Sequence, residues 1–422
     1  MCYNLEHLYD FFTGQSLNRD KRLTGSLLWG CVVTEKLIER IRNVVQDGNL
    51  NFLLGSGLSR PFLATLGNIE FLLTECDSAS IDEGVRKILR ASLYRSYFLE
   101  VIQKNLLIRD SDASADSVLE EYTTFLRSWN AILLHRKNTL LSKEINLFTT
   151  NIDIFPEMAF DGLCLECNDG FNGRFQPQFS PSNFKKSRFK KGLYYDKTSE
   201  LPVFNLVKLH GSLSWYFAKD LIFFSHNLAH VQEVVKVLPA PGTCIDIPAK
   251  AAFSDLVAAV KCTVPDPSLD AFLEAYEKLL IVVNPTKEKF RHTLLNHTYY
   301  DLLRMFSNEL EKENSALFVL GFSFADEHIR EITLRAANSN PTLIVYIFAH
   351  TSESKKELAD RLGATNIKNR NIEIIGPEQE KDASGTLVDS FSYDFAAINQ
   401  HFLQPLLDRC APAHDPGTKA FV

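Results

Sequence analysis

Short, almost uninterrupted apolar runs recur along this chain, and each ends in small or polar residues before a helical pattern begins. Strands without polar alternation are typical of a parallel sheet that is covered on both faces. Their alternation with amphipathic helices predicts an α/β fold, a doubly wound (Rossmann-like) parallel sheet with helical and loop-rich insertions. The predicted strands are 51–54, 145–149, 203–209, 279–283, 316–320, 342–348 and 372–375, and the predicted helices are 34–46, 117–142, 287–312, 326–338 and 352–362.

Long intervals between these elements predict how the chain is organised. We expect one α/β domain over 45–404, preceded by a helical extension over 1–44 and followed by a tail over 405–422. Three intervals inside the domain do not fit the alternation and are interpreted as insertions. They are an amphipathic helical segment at 62–116, loops with short hairpins at 154–202, and a candidate cap with turn signals at 217–275.

The composition excludes several classes of protein. Hydrophobic residues make up 45% of the 422 residues, which is enough for a large core and excludes overall disorder. Lys and Arg number 45 against 52 Asp and Glu, a net charge of −7 that argues against a protein that coats nucleic acid. The polar first twenty residues lack a secretory pattern, and no apolar run is long enough to span a bilayer. We therefore expect a cytoplasmic protein.

The eight cysteines do not form a zinc pattern. Cys164 and Cys167 make one C-x2-C pair, whereas a structural zinc site requires four ligands. Cys244 and Cys262 lie too far apart in the sequence to supply the second pair. The sequence therefore predicts reduced thiols and no metal.

A glycine loop follows the first predicted strand. It reads Gly55-Ser56-Gly57-Leu58-Ser59, in which the glycines allow backbone N–H groups to approach a phosphate and Ser59 can donate to a phosphate or ribose. The loop lacks the full G-x-G-x-x-G pattern, so a purely structural turn between strand and helix is the alternative.

Polar residues also follow the second and third strands, where ligands of open α/β sheets collect. Thr150, Asn151 and Asp153 follow the second strand, and an asparagine there can hold a carboxamide or a water. The alternative is an Asx cap on the next helix. His210 follows the third strand in Leu-His-Gly-Ser and can act as a base, although a lone histidine is more often structural.

The end of the fifth strand reads Gly321-Phe322-Ser323-Phe324-Ala325-Asp326. Gly321 and Ser323 are candidates to line the same crevice. For Asp326 we favour the N-cap of the helix that follows, because aspartate is among the preferred residues at that position.

Taken in order, these four segments resemble the sirtuin superfamily, most closely its prokaryotic branch associated with antiphage defence. The resemblance implies that Gly55, Ser56, Gly57 and Ser59 surround the NAD diphosphate. It implies that Asn151, Asp153 and Thr150 surround the nicotinamide and its ribose, and that Gly321 and Ser323 lie near a ribose. His210 corresponds to the catalytic histidine of the family.

The chain departs from true sirtuin deacylases in three places. Deacylases carry a four-cysteine zinc module after the catalytic histidine, whereas Cys164 and Cys167 precede His210 here. Arg60-Pro61 follows the glycine loop, and Thr150 stands where deacylases usually have glutamine. The resemblance therefore implies hydrolysis of NAD, with Asn151, His210 and Asp153 as the catalytic residues. An NAD-dependent protein deacylase and a non-catalytic NAD or ADP-ribose sensor are the alternatives.

The same resemblance implies partners. Family members deplete NAD during phage infection together with a HerA-like hexameric ATPase, a short Argonaute or other defence partners, so an oligomer is expected. No P-loop pattern occurs in this chain, so an ATPase would be a separate protein. A basic segment at 183–191 contains two phenylalanines and could contact nucleic acid or an acidic partner, although a solvated loop fits it better.

Overall fold

The computed structural model describes residues 25–65, 68–138, 140–194, 196–248, 251–260, 266–282, 293–363, 367–381 and 385–411. In chain order the strands are β1 (Asn49–Leu54), β2 (Glu144–Thr149), β3 (Cys167–Asn168), β4 (Phe171–Asn172), β5 (Gln178–Phe179), β6 (Arg188–Lys191), β7 (Thr198–Leu201), β8 (Val203–Lys208), β9 (Trp215–Ala218), β10 (Leu221–Phe224), β11 (Ser315–Leu320), β12 (Ile344–Phe348), β13 (Ile372–Ile375), β14 (Gln379–Lys381) and β15 (Leu387–Asp389). The helices are α1 (Gly25–Asp47), α2 (Ile69–Ser78), α3 (Glu83–Tyr97), α4 (Asn105–Arg109), α5 (Ala113–Leu134), α6 (Phe155–Leu163), α7 (Ala229–Lys236), α8 (Phe253–Val260), α9 (Ser268–Leu279), α10 (Thr293–Glu311), α11 (Glu327–Ser339), α12 (Ser352–Leu362), α13 (Phe395–Ala397) and α14 (Gln404–Cys410).

A seven-stranded parallel sheet forms the centre of the protein, in the order β13-β12-β11-β1-β2-β8-β3. The chain adds β2 and β8 on one side of β1 and later adds β11, β12 and β13 on the other side. Helices flank this sheet, so the predicted doubly wound α/β fold is confirmed. The strand order reverses between β1 and β11, which makes the carboxyl ends of these strands the expected ligand crevice.

Both faces of the sheet are buried, as the continuous apolar runs predict. On one face Phe52 and Phe318 stack at 5.1 Å between ring centroids, and Phe52 also contacts Trp129 of α5 at 4.8 Å. On the other face Phe148 contacts Phe306 of α10 at 4.9 Å. Successive residues along a strand point to opposite faces, so each apolar run supplies both cores.

The predicted strand over 279–283 is wrong. Leu269, Phe272 and Tyr276 are buried at helical spacing, and this apolar stripe keeps the chain in α9 as far as Leu279. The described residues that follow, 280–282, form no strand, and Val282 makes a single antiparallel bridge to Gly211. Residue 283 lies outside the described residues. The seventh strand of the sheet is the two-residue β3, which lies within the predicted insertion over 154–202.

Helices are more abundant in the intervals between strands than predicted. The segment 62–116 carries α2, α3 and α4, as expected, but 154–202 begins with α6 and 217–275 carries α7, α8 and most of α9. The helix predicted over 117–142 ends at Leu134, because the chain turns at His135 and Arg136 then donates to backbone carbonyls. The predicted helical segment 287–292 and the ends of the chain, 1–24 and 412–422, lie outside the described residues.

The basic segment 183–191 includes β6, which forms a hairpin with β7. All four residues of β6 are exposed. Arg188 and Lys191 form ion pairs with Glu166 and Asp196, at 3.3 and 2.7 Å. The hairpin therefore lies on the surface, as expected of a solvated segment.

A row of asparagines crosses the sheet away from its carboxyl edge. Asn51, Asn146, Asn205 and Asn168 occupy paired positions on β1, β2, β8 and β3. From Asn146 onward, each amide Nδ2 donates to the Oδ1 of the asparagine before it in this order, at 2.8, 2.9 and 3.0 Å. The Nδ2 of Asn51 donates to Ser315 Oγ at 2.8 Å. We refer to these four residues as the asparagine row.

Candidate active site

Four strands bring the predicted site segments to one edge of the sheet. Leu54 is paired with Thr149 on one side and with Leu320 on the other, and Thr149 is paired with Lys208. Because these four residues end neighbouring parallel strands, the segments that follow them emerge side by side. The glycine loop, Asn151, His210 and Gly321 thus share one edge.

The glycine loop after β1 packs directly against the loop after β11. Gly55 N–H donates to the Leu320 carbonyl at 2.9 Å, and Gly57 N–H donates to the Gly321 carbonyl at 3.0 Å. A Cβ on Gly55 or Gly57 would collide with the Gly321 backbone, and Gly321 itself has a φ of +61° that disfavours a side chain. The glycines therefore join two strand ends closely. The Ser56 side chain in the same loop is exposed.

Four buried polar side chains meet at this edge: Ser59, Tyr122, Asn151 and Asp153. Ser59 Oγ donates to Asp153 Oδ2 at 2.7 Å and lies 3.2 Å from the Tyr122 hydroxyl. Since the Ser59 proton is directed at the carboxylate, the Tyr122 hydroxyl is the donor to Ser59. A chain of hydrogen bonds thus runs from Tyr122 through Ser59 to Asp153.

The side-chain amide of Asn151 is held in one orientation by hydrogen bonds. Its Nδ2 donates to the Gly55 carbonyl at 3.0 Å, and its backbone N–H donates to Thr149 Oγ1 at 3.0 Å. Rotating the amide by half a turn would place two oxygens against each other at Gly55, which fixes the assignment. Asn151 is only 5% exposed, and its Oδ1 has no hydrogen-bond partner among the described residues.

Asp153 is a buried carboxylate with few compensating contacts. Burial raises the pKa of its carboxyl group, while the charge of Lys208 and the hydrogen bonds from Ser59 and the Phe155 N–H act in the opposite direction. The Phe155 N–H contact at 3.3 Å is the Asx-type interaction that the sequence offered as the structural alternative. Asp153 therefore supports the start of α6 and also belongs to the polar cluster.

His210 is paired with a carboxylate from another strand end. Its Nε2 lies 3.0 Å from Asp326 Oδ2, with the His210 side chain 21% exposed. The other oxygen of Asp326 accepts from the backbone N–H groups of His328 and Ile329, so the predicted N-cap is confirmed. With Nε2–H directed at Asp326, the imidazole Nδ1 is left as the basic nitrogen.

Lys208 lies beneath the loop that carries Asn151 and Asp153. Its side chain is 3% exposed, and its Nζ is 3.1 Å from Glu157 Oε2. The same ammonium donates to the backbone carbonyl of Asn151 at 3.4 Å and to the backbone carbonyl of Asp153. Burial raises the pKa of Glu157, and the charge of Lys208 opposes that shift.

The remaining predicted site residues lie at the margin of the cluster. Thr150 is half-buried in the loop after β2, and Ser323 is exposed. The backbone carbonyl of Ser323 accepts from Arg361 Nη1 at 2.5 Å, which ties the loop after β11 to α12.

Four features of the site were not predicted from the sequence. They are Tyr122, Lys208, Glu157 and the contact of Asp326 with His210. Nothing in the sequence around Tyr122 marks it, because it occupies a helix and lies 22 residues before the start of β2. Lys208 did offer a signal, since it is the one charged residue in the strand VFNLVK. A charged side chain in a strand that is buried throughout must have a partner.

Among the described residues, no group of three or more His, Cys, Asp or Glu side chains is arranged to hold a metal ion. Within those same ranges, no helix has both the length and the apolar content needed to cross a membrane.

No protein-family model matches this chain, and a search of curated proteins finds no match.

Proposed function

We propose that this chain is an NAD glycohydrolase that cleaves the bond between nicotinamide and ribose. The observation that carries the proposal is the buried Oδ1 of Asn151, which has no hydrogen-bond partner within the described part of the chain. Asn151 shares its neighbour Ser59 with the Asp153 carboxylate and lies at the same edge as the His210–Asp326 pair. A buried acceptor without a partner costs about 1–3 kcal/mol, which a ligand that donates an amide N–H would recover. The carboxamide of nicotinamide is such a donor.

Hydrolysis of NAD requires few protein groups, and we assign these to residues at this edge of the sheet. Nicotinamide in NAD is a cationic leaving group, so the C–N bond breaks with its electrons returning to the ring nitrogen and no acid is needed. Positive charge develops on the ribose, and the buried Asp153 carboxylate stabilises it. Water then forms the new bond to the anomeric carbon while His210 takes the proton at Nδ1 and Asp326 stabilises the imidazolium. The products are nicotinamide and ADP-ribose.

We assign the rest of the substrate to the loops around the cluster. The Gly55 and Gly57 N–H groups already donate to protein carbonyls, so the glycines contribute close approach of backbone and Ser56 contributes a hydroxyl for the diphosphate. Gly321 and Ser323 follow β11 at the same edge of the sheet and are proposed to lie near a ribose. Ser59 acts within the cluster, on Asp153, rather than on a phosphate.

We further propose that the activity serves antiphage defence in the cytoplasm by depleting NAD. This setting rests on the sirtuin-like motifs of the sequence. It includes self-association and a separately encoded partner such as a HerA-like ATPase, which would hold the hydrolase inactive until infection. A link to phage nucleic acid would run through that partner.

The test is product analysis by chromatography after incubation of the purified chain with NAD, alone and with the product of a neighbouring gene. We expect nicotinamide and ADP-ribose in equal amounts, lost in His210→Ala and Asn151→Ala and retained in His226→Ala, a control histidine on the surface. NAD that is bound but left intact would replace the proposal with a sensor. Consumption of an acyl-lysine peptide would replace it with a deacylase.

A further inference from the structure

The strand β8 carries one charged residue into the protein interior. Lys208 ends a strand whose six residues are all buried. An apolar side chain of the same length would fill this space without the cost of removing an ammonium group from water. The contacts of the Lys208 ammonium must therefore offset the cost of burying its charge.

The ammonium has two contacts with the loop between β2 and α6. Both are backbone carbonyls on either side of Ile152, those of Asn151 and Asp153. Fixing both carbonyls fixes the direction in which the intervening backbone runs. The Asn151 and Asp153 side chains then both reach Ser59, at 3.4 and 2.7 Å from its Oγ.

The third contact extends this support to the loop that carries His210. Glu157 pairs with Lys208 through Oε2, and its Oε1 accepts from Ser212 Oγ at 3.2 Å. Ser212 lies two residues after His210, and the neighbouring Leu213 N–H donates to the Ile152 carbonyl at 3.0 Å. Lys208 and Glu157 thus connect the two loops that supply the proposed catalytic groups.

We propose that Lys208, acting with Glu157, is a positioning residue that sets the Asn151–Asp153 loop against the His210 loop. The kinetic test of this role rests on the proposed function, because it measures the hydrolysis of NAD. Displacing a catalytic group by about 1 Å can cost on the order of 100-fold in rate. Lys208 is not expected to touch the substrate, so substrate affinity should change much less than turnover.

The first experiment compares kcat and KM for NAD in Lys208→Met, Lys208→Arg and wild type. We expect kcat to fall by about 10–100-fold in Lys208→Met with KM within about threefold, and Lys208→Arg to recover part of kcat because it keeps the charge and donors. A kcat for Lys208→Met within twofold of wild type would overturn the proposal.

Arg136 offers a matched control for loss of a buried cation. Its side chain is also buried and donates to the backbone carbonyls of Gln46 and Gly48, but at the opposite edge of the sheet. Arg136→Met should therefore lower thermal stability while kcat stays near that of wild type. An equal loss of kcat in both variants, measured where circular dichroism shows both folded, would overturn a specific role for Lys208.

Glu157→Gln covers the case in which Lys208→Met does not fold. It leaves the two carbonyl contacts of Lys208 in place and removes the charge of the partner. Loss of this buried ion pair predicts a decrease in kcat of about tenfold. An unchanged kcat in this variant would contradict the coupling between the two loops.

Hydrogen exchange separates this proposal from the proposed function, because it needs no substrate. If wild type does not hydrolyse NAD, the proposed function fails, and the positioning role is still tested in the free protein. Faster exchange of amides in 151–155 and 211–214 in Glu157→Gln, with 49–54 unchanged, would support it. Unchanged exchange in both loops would overturn it.

Discussion

Buried asparagines occur in two regions of the protein, within the sheet and just after β2, and the two regions differ in how completely their side-chain amides are hydrogen-bonded. In the asparagine row, both amide atoms of Asn51, Asn146 and Asn205 have partners. Asn151, five residues beyond Asn146, is just as buried, but its Oδ1 has none among the described residues. The row runs along strand positions that are already paired, whereas Asn151 follows the last pair of β2.

This difference indicates which polar groups serve the fold and which are available to a ligand. A fully partnered network inside a core fixes the register of the strands, since slipping a strand by one residue would leave several amides unpaired. An unpartnered acceptor destabilises the protein unless something binds to it. We therefore propose that the row serves the fold and that Asn151 serves binding.

The largest effect expected from breaking this distinction is on turnover. Asn151→Ala removes the acceptor proposed to hold the carboxamide, and loss of one such group costs on the order of 100–1000-fold in kcat. Asn151→Ala also removes the Nδ2 donor to the Gly55 carbonyl, so we expect a loss of about 1 kcal/mol in the free energy of unfolding, smaller than the loss expected for the asparagine row. Steady-state kinetics with a thermal melt tests both points. A large loss of stability would place Asn151 with the row.

The next effect concerns the two oxygens of Asp326. Asp326→Asn keeps a good N-cap for α11 but presents an uncharged side chain to His210, so kcat should fall by about 10–100-fold. Unfolding by urea should be almost unchanged. A variant with normal kcat would mean that the pair with His210 has no catalytic part.

The row should respond in the opposite way. Asn146→Leu removes an amide that contacts Asn51, Asn205 and Glu309, and it leaves the buried Asn51 Oδ1 and Asn205 Nδ2 without their shared partner. We therefore expect a loss of about 2–3 kcal/mol in the free energy of unfolding. The kcat of the folded fraction should stay near wild type. A loss of kcat without loss of stability would contradict the assignment.

The smallest effect is a dependence of stability on pH at Asp153. Its pKa is raised by burial from the ordinary value of 3.8, so the folded state binds the proton more tightly than the unfolded state. This contribution to stability is present below pH 3.8, is lost as pH rises through the raised pKa, and is absent above it.

Asp153→Asn removes that dependence and should be at least as stable as wild type at pH 7, by up to ~1 kcal/mol. The gap between the two proteins should narrow as pH falls. Urea unfolding across this range measures it. A wild type that gains on the variant as pH falls towards 4 agrees with the account, and one that loses contradicts it.

The sequence predicts the fold well because parallel strands leave a strong local signal. Runs such as those now seen in β1, β2 and β11 are apolar on both faces, which few other structures require. The run at 279–283 has the same composition, yet α9 extends into it. Composition alone does not separate a buried strand from the end of a buried helix.

The site is predictable only where its residues follow strands. Asn151, Asp153 and His210 do so, and their position at a strand end is itself the signal. Tyr122 reaches the cluster from α5, and Asp326 reaches His210 from another strand end, contacts that depend on tertiary packing. The availability of the Asn151 oxygen also depends on which neighbours occupy the other atoms, which a sequence pattern does not carry.

The most direct test of the account compares NAD with its nicotinic acid analogue as substrates of the wild-type chain. The analogue has a carboxylate in place of the carboxamide, so it offers no N–H to Asn151 Oδ1 and places a negative charge near Asp153. After correction for non-enzymatic rates, we predict kcat/KM at least about 100-fold lower for the analogue, a preference that Asn151→Ala largely removes. Equal kcat/KM values for the two substrates in wild type would contradict the assignment of Asn151 to the nicotinamide.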